Sequence, residues 1–441
     1  MFARFKHKSH QTHPDPIIIL GGGAGGLELA TQLGNYYRYS EQKILLIDQN
    51  KRHVWKPLFH EVASGSLDAD IDGVDYLAHS ANHGFKFVQG TMTGLERDHK
   101  KINLAAITDD NGEQILPERT INYSLLVFAL GSITNDFATQ GAKQHCIFLD
   151  SCERAEYFNQ HLMNSFLKLQ ASDTPDPLEI AIVGAGATGV ELAAELFKTA
   201  ELLRSYGYDN VTDNRLKITI IEASPRILGA LPERIANAAQ IELKKIGVEI
   251  LTNTAITEVT SQGFITKQQT LIPASIRVWA AGVKAPDFLK DIGGLATNRI
   301  NQLEVKPSLQ TTLDDSIFAI GDCASYVMEN GTRVPPRAQS AHQMATHVYK
   351  NIIALLRHKP LTTYVYRDYG SLVSLSSYST VGNLMGNLTK GSMVIEGHIA
   401  RLVYLALYRM HQIALHGYRK TFLMMLVGRL NRRLRPYLKL H

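Results

Sequence analysis

Cysteine is scarce in this 441-residue chain. The three present, Cys146, Cys152 and Cys323, are too few and too scattered for a disulfide framework or a four-thiolate metal site, and an odd count suits a reducing compartment. They read as structural thiols. Nowhere do eighteen apolar residues run without a charge, which argues against a membrane-spanning helix and leaves surface attachment open. The first fourteen residues carry Arg4, Lys6 and Lys8 with no apolar core after them, so they read as a mobile basic tail and not as a secretory signal. No repeat or low-complexity tract stands out. With 45% hydrophobic and 20% charged residues the chain is neither disordered nor fibrous, and at about 100 to 200 residues per domain its length predicts two to four domains.

Acid is missing from one long stretch. From Gly397 to His441 there is no Asp or Glu but nine basic residues: Arg401, Arg409, Arg419, Lys420, Arg429, Arg432, Arg433, Arg435 and Lys439. The 37 Lys and Arg elsewhere face all 41 acids, so the net charge of +5 is a basic C-terminal segment on a mildly acidic body.

Two glycine-rich motifs carry most of the chemistry. Ile17 to Leu20 is a strand-like apolar run, followed by Gly21-Gly22-Gly23-Ala24-Gly25-Gly26, a helical stretch Leu27 to Leu33 closed by Gly34, and a second buried-strand pattern, Lys43 to Asp48. In this βαβ order Gly21 allows the tight turn, Gly23 admits a pyrophosphate to the backbone, and Gly26 lets helix and strand pack closely. Asp48, 22 residues after Gly26, is placed to accept from a ribose hydroxyl. A second copy starts at Ile180 to Val183, with Gly184-Ala185-Gly186-Ala187-Thr188-Gly189, a helix Val190 to Ala200, and a strand Lys217 to Ile221 ending at Glu222; Ser205 to Arg215 reads as an insertion before that strand. A plain glycine-rich turn is the alternative for either motif alone. Two together imply two dinucleotides.

Two such sites about 160 residues apart match the flavoprotein disulfide-reductase architecture, in which an NAD(P)H domain interrupts an FAD domain. The apolar run Leu125 to Leu130 ending in Gly131, and Ile317 to Ile320 ending in Gly321-Asp322, fit that reading; the latter resembles the family's second FAD motif, whose Asp holds the flavin ribityl chain. A buried strand before a Gly-Asp turn is also common without a flavin. Cys146 and Cys152 have five residues between them and follow no glycine motif, and Cys323 reads as packed, so a thiol relay is disfavoured.

The segments His53 to Gly65, Trp279 to Pro286 (with Gly282) and Arg337 to Gln343, in this order, resemble the type II, non-proton-pumping, NADH:quinone oxidoreductases, and the resemblance extends from Ile17 to the C-terminus. It implies FAD and NADH as cofactor and electron donor, a membrane quinone as acceptor, and a peripheral protein on the cytoplasmic face of a bacterial inner membrane. Lys56, Pro57 and Glu61 to Gly65 resemble the family's flavin-edge loop, and Gln339 and Gln343 its quinone-facing helix. The two amides are spaced i,i+4 on one helical face after Pro335-Pro336, with Met344 and Ala345 as the expected apolar flank; solvated surface glutamines are the alternative. Glu191 is similar to the family's acid beside nicotinamide and quinone, and could relay protons, or it is a first-turn acid that favours the helix dipole. Glu222 accepts from the 2′-hydroxyl of NADH and repels the 2′-phosphate of NADPH, whereas nearby Arg226 could receive that phosphate. His53 and His60 read as packing residues. No histidine, cysteine and carboxylate spacing suggests a metal site.

Ile399 to Leu415 repeats apolar residues at helical spacing until Gly417. A second apolar stretch, Phe422 to Val427, precedes Arg429, Arg432, Arg433 and Arg435, with Pro436 as a stop, and Tyr404, Tyr408 and Tyr418 suit a headgroup level. This basic amphipathic pair, residues 398–441, is expected on an anionic membrane surface and not on nucleic acid; packing on the body or on a second copy in a homodimer is the alternative.

The expected architecture is therefore α/β: two Rossmann-like domains with the NADH domain inserted in the FAD domain, plus a C-terminal amphipathic membrane-binding region. The boundaries are FAD domain 1–165, NADH domain 166–295, second FAD part 296–345 and C-terminal domain 346–441. A soluble flavin reductase serving a protein acceptor and a non-enzymatic NADH-sensing flavoprotein remain the competing classes.

Overall fold

The computed structural model describes residues 14–375, 379–384, 393–396, 398–434 and 438–439. The basic tail bearing Arg4, Lys6 and Lys8 lies outside the described residues, as do Arg435 and Pro436. Contacts divide the chain into two units: Met1–His53, Asp75–Gly131 and Pro286–Tyr364 form one, and Val54–Val74, Ser132–Ala285 and Val365–His441 the other.

The first unit is organised by a five-stranded sheet in the order Ile317–Ala319, Leu125–Phe128, Ile17–Leu20, Ile44–Asp48, Lys86–Gln89, with every neighbouring pair parallel. Ile17–Leu20 is buried at all four positions. Such a strand is covered on both faces and therefore reads as an unbroken apolar run. The helix after it runs Ala24–Tyr37, longer than Leu27 to Leu33. Gly34 does not close it: a Cβ there would stand 2.4 Å from the His83 carbonyl oxygen, so this glycine admits the end of the neighbouring helix Tyr76–His83. Helix Ala338–Leu356 packs on Ala24–Tyr37 at Gly25, where a Cβ would lie 2.9 Å from the Ala341 carbonyl oxygen.

The second unit repeats this plan. Its parallel sheet has the order Ile147–Phe148, Ile276–Trp279, Leu178–Val183, Leu216–Ile221, Glu249–Leu251, again with the strand before the glycine motif at the centre. The helix after that strand runs Ala187–Ser205, beyond Val190 to Ala200 at both ends. The expectation of two Rossmann-like domains from the two glycine motifs is met by this repeat, each motif following the central strand of its own sheet. Residues 132–165 sit with the second sheet and not the first: Ile147–Phe148 pairs with Ile276–Trp279, and helix Cys152–Ala171 follows directly. The segment after Tyr364 also belongs to the second unit, so contacts divide the chain at other points than 165, 295 and 345.

Candidate functional site

In the first unit, three adjacent parallel strands deliver Gly21, Gly131 and Asp322 to one end of the sheet. Gly21 has φ +97° and a Cβ on it would stand 2.5 Å from the Ala129 carbonyl oxygen; a Cβ on Gly26 would stand 1.9 Å from the Gly21 carbonyl oxygen. At Gly23, by contrast, the nearest atom is 3.9 Å away, which leaves the backbone approachable from outside. Gly23 is also the N-cap of its helix and offers no side-chain capping bond, so the first-turn N–H groups face outward for an anion. This cradle fits an FAD pyrophosphate.

Asp48 Oδ2 accepts from the Gly22 amide at 2.6 Å and Oδ1 from the Asn50 amide at 2.7 Å. Burial raises its pKa and those amide bonds oppose the rise. Oδ1 also accepts from Asn50 Nδ2 at 3.1 Å, so it is Oδ2, with two lone pairs and the Gly22 amide on one of them, that a ribose hydroxyl can join without displacing the loop. At the neighbouring strand end, Asp322 follows Gly321, which is left-handed at φ +70°, and its carbonyl accepts from Gln302 Nε2 at 2.8 Å.

Gln339 and Gln343 are both half-buried near the start of helix Ala338–Leu356. The expected apolar flank is corrected: Met344 and Ala345 are fully buried, with Met344 Sδ accepting from the Gly321 amide at 3.1 Å, because this helix face is core. Between the glutamines His342 Nδ1 pairs with the buried Glu28 carboxylate, which also accepts from Gln32 Nε2 at 2.9 Å and Thr346 Oγ1 at 3.3 Å. Sequence reasoning missed this cluster.

The second unit carries the matching cradle. Gly184 has φ +103° and a Cβ there would lie 2.6 Å from the Ala281 amide nitrogen; one on Gly189 would lie 2.1 Å from the Gly184 carbonyl oxygen, while Gly186 has nothing within 4 Å. Gly282 is left-handed at φ +67°, at the place after its strand that Gly131 holds in the first unit. Glu222 Oε2 accepts from the Ala185 amide and Oε1 from the Ser224 amide, both at 2.8 Å, the counterpart of Asp48. Arg226 donates to the Leu231 and Gly229 carbonyls at 2.8 and 2.9 Å, so its guanidinium is engaged within its own loop.

Lys56 Nζ donates to the Ser132 carbonyl at 2.6 Å and contacts its hydroxyl at 3.0 Å, which fixes the lysine stem in this unit. Glu191 is 5% exposed, and its Oε2 lies 3.5 Å from Nδ1 of His60, itself 2% exposed. Burial pushes the His60 pKa down to about 4. The sequence marked Glu191 but gave His60 a packing role. Burial also pushes the Cys146 and Cys323 thiols up to about 12, so neither supplies a thiolate near neutral pH. Among the described residues, no group of three His, Cys, Asp or Glu could hold a metal ion.

Helix His398–Leu434 is broken at Gly417, whose φ of 74° and ψ of 169° are not helical. Its burial is inverted. His411, Gln412, Leu415 and Thr421 point inward, while Met410, Tyr418, Phe422, Leu423, Leu426, Val427, Leu430 and Leu434 are exposed. So large an apolar surface marks a face meant for something other than water. Tyr408 is corrected: it packs against Trp55 with ring centroids 5.4 Å apart, and His411 stacks on the same indole at 5.9 Å. Lys439 is turned back too, its Nζ 3.3 Å from Asp68 and 3.2 Å from Asp70. The side chain of Tyr404 lies outside the described residues. No described helix is long and apolar enough to cross a membrane.

The family model of the pyridine nucleotide-disulphide oxidoreductases matches residues 15–345. A type II NADH:quinone oxidoreductase of Haemophilus influenzae is 47% identical over 96% of this chain and 99% of its own length, and one of Staphylococcus aureus is 31% identical over 85% and 91%. The structure of NDH2 from Plasmodium falciparum in complex with NADH superposes with a TM-score of 0.79 at 18% identity, covering 96% of this chain and all of that one. The chain belongs to the pyridine nucleotide-disulphide oxidoreductases and, within them, to the type II NADH:quinone oxidoreductases.

Proposed function

We propose that the chain is a membrane-associated respiratory NADH dehydrogenase that oxidises NADH with bound FAD and reduces a membrane quinone without pumping protons. When bound, FAD accepts hydride from NADH and returns two electrons to the quinone. The first unit holds FAD through Gly21, Gly23, Gly26, Asp48, Gly131 and Asp322; Lys56 belongs to the flavin-edge loop. The second binds NADH through Gly184, Gly186, Gly189, Glu222 and Gly282. Glu222 selects NADH, because a fixed carboxylate at the adenine-ribose end accepts from a hydroxyl and repels a phosphate. Gln339 and Gln343 offer the quinone carbonyls amide donors, and Glu191 supplies a proton to the reduced quinone. The exposed apolar face of residues 410–434 and its arginines hold the protein to the cytoplasmic face of an inner membrane.

The observation that carries this reading is the doubling of the cradle, each with its own carboxylate on its own sheet, in a chain whose two buried thiols, Cys146 and Cys323, are held protonated near neutral pH. Recording the flavin spectrum on membrane vesicles tests it: NADH should bleach the bound flavin and a quinone should restore it. Gln339→Leu and Gln343→Leu should slow the restoration and leave the bleaching near normal. Bleaching without restoration by any quinone would defeat the reading in favour of a sensor.

A further inference from the structure

His60 has two ring nitrogens, and its pairing with Glu191 uses one. Nδ1 donates to the Pro57 carbonyl, and the Glu191 carboxylate stands 3.5 Å from the same nitrogen inside the second unit. Nε2 is fully buried and has no hydrogen-bond partner among the described residues. A buried polar atom of this kind is rare in a folded chain and points to an absent partner. Burial keeps the ring neutral near pH 7, so it holds one proton and one lone pair. With the Pro57 carbonyl accepting at Nδ1 and no acceptor at Nε2 among the described residues, the proton resides at Nδ1, within 3.5 Å of the Glu191 carboxylate, and the lone pair at Nε2.

The surroundings hold this arrangement in place. Helix Phe59–Ser64 is tied to helix Cys152–Ala171 by Asn159 Nδ2 donating to the Ala63 carbonyl at 3.1 Å, and to helix Ala187–Ser205 by Thr199 Oγ1 donating to the Ser64 carbonyl at 3.0 Å. The ionisable groups on these elements are Glu61 on the ring's own helix with Lys56 before it; Glu191, Glu195, Lys198, Glu201 and Arg204 on the long helix, where Glu195 accepts from Ser66 Oγ at 3.3 Å; and Cys152, Glu153, Arg154, Glu156, Tyr157, His161 and Lys168 on the third, with Lys439 beyond.

We propose that His60 reprotonates Glu191 during quinone reduction, taking a proton from water at Nε2 and passing the Nδ1 proton to the carboxylate. This rests on the reading of Glu191 as the acid of quinone reduction. The balance requires such a path: NADH supplies a hydride, so quinol formation takes up one further proton from solvent. Glu191 gives its O–H proton to the quinone oxygen; Nε2 binds a proton from water as the new carboxylate accepts the Nδ1 proton; before the next turnover the ring loses the Nε2 proton to water and regains one from water at Nδ1, an exchange that consumes no net proton and restores the starting tautomer. Only N–H and O–H bonds change. His60 thus acts through Glu191 as a positioning and reloading residue.

The test uses the full-length, FAD-loaded protein on vesicles with a long-tailed quinone, with reduction by NADH and reoxidation by quinone timed separately. His60→Asn keeps a donor at the Nδ1 position and removes Nε2. Reoxidation should slow about a hundredfold, as for a lost acid-base group, with reduction by NADH changed less than twofold. The rate should become dependent on pH and on small buffer acids that the intact protein ignores, and Glu191→Gln with His60→Asn should be no slower than Glu191→Gln alone. In the resting protein, the infrared carboxyl band lost in Glu191→Gln should shift in His60→Asn. Unchanged reoxidation in His60→Asn beside a slow Glu191→Gln would keep the Glu191 reading and overturn the relay. An unchanged Glu191→Gln would overturn both. Loss of flavin from both His60→Asn and His60→Gln would show that the ring only packs, which also overturns the relay.

Discussion

Glu28 and Glu191 hold the same place in two repeats: each lies two residues beyond the third glycine of its motif, in the first turns of the helix, 5% exposed and facing a histidine. An acid near a helix N-terminus is favoured by the dipole, yet a buried one needs a partner. The partners differ. His342 is partly open to solvent and sits on the helix of Gln339 and Gln343, so Glu28 clasps helices Ala24–Tyr37 and Ala338–Leu356 together within the first unit. Removing one member of a buried pair costs about 3–5 kcal/mol. Glu28→Ala should therefore lower the urea midpoint and loosen FAD, and Glu28→Gln should do so much less. A Glu28→Ala protein as stable as the parent would mean that the pair contributes nothing to the fold.

The two cradles are separable by single methyl groups. Gly26→Ala meets a backbone oxygen at 1.9 Å and should yield protein without flavin absorbance. Gly189→Ala meets one at 2.1 Å and should keep its flavin while the KM for NADH rises at least tenfold. Flavin content after gel filtration and steady-state kinetics read the two effects.

Glu222→Gln removes the charge and keeps an acceptor for the Ala185 amide. A charged hydrogen bond contributes about 1.5–3 kcal/mol. The preference for NADH over NADPH should thus narrow by about tenfold or more in kcat/KM ratios, and an unchanged ratio would assign selectivity elsewhere.

Acid should weaken the fold through two histidines. Burial holds His53 and His60 near pKa 4, with His342 adding to the effect on His53, against 6.5 when unfolded. Between pH 6.5 and about 4 the unfolded chain binds more protons, so this stability is fully present above pH 6.5 and is lost as pH falls towards 4. The thermal midpoint should drop between pH 7 and pH 5, and His53→Gln should flatten that drop. A drop of equal size in His53→Gln would exclude His53 as its source.

The exposed face near the C-terminus predicts vesicle binding with two components. Each arginine near an anionic surface contributes about 1 kcal/mol and is screened by salt, while each buried leucine contributes about 1.5–3 kcal/mol that is not. High salt should weaken binding without full release. Leu423→Asp with Leu430→Asp should release the flavin-loaded protein into the supernatant, since both side chains are exposed and neither supports the fold. Continued sedimentation with anionic vesicles would place the membrane contact elsewhere in the chain.

Both glycine motifs were legible because their chemistry is local. A tight turn, an open helix N-terminus and an acid after the second strand all lie within one βαβ segment, and Gly21, Gly26, Gly184 and Gly189 do what their spacing requires. The break at Gly417 and the lopsided charge of the C-terminal segment were legible for the same reason. Tertiary structure decided what depends on distant chain. It turned Met344 and Ala345 into core, set Tyr408 against Trp55 and tied Lys439 back to Asp68, each through a partner that helical periodicity cannot name. It also brought His60 to Glu191 across 131 residues of sequence and His342 to Glu28 across 314. A carboxylate is written in the chain, but whether it is paired, buried and able to hold a proton depends on which helix folds against it.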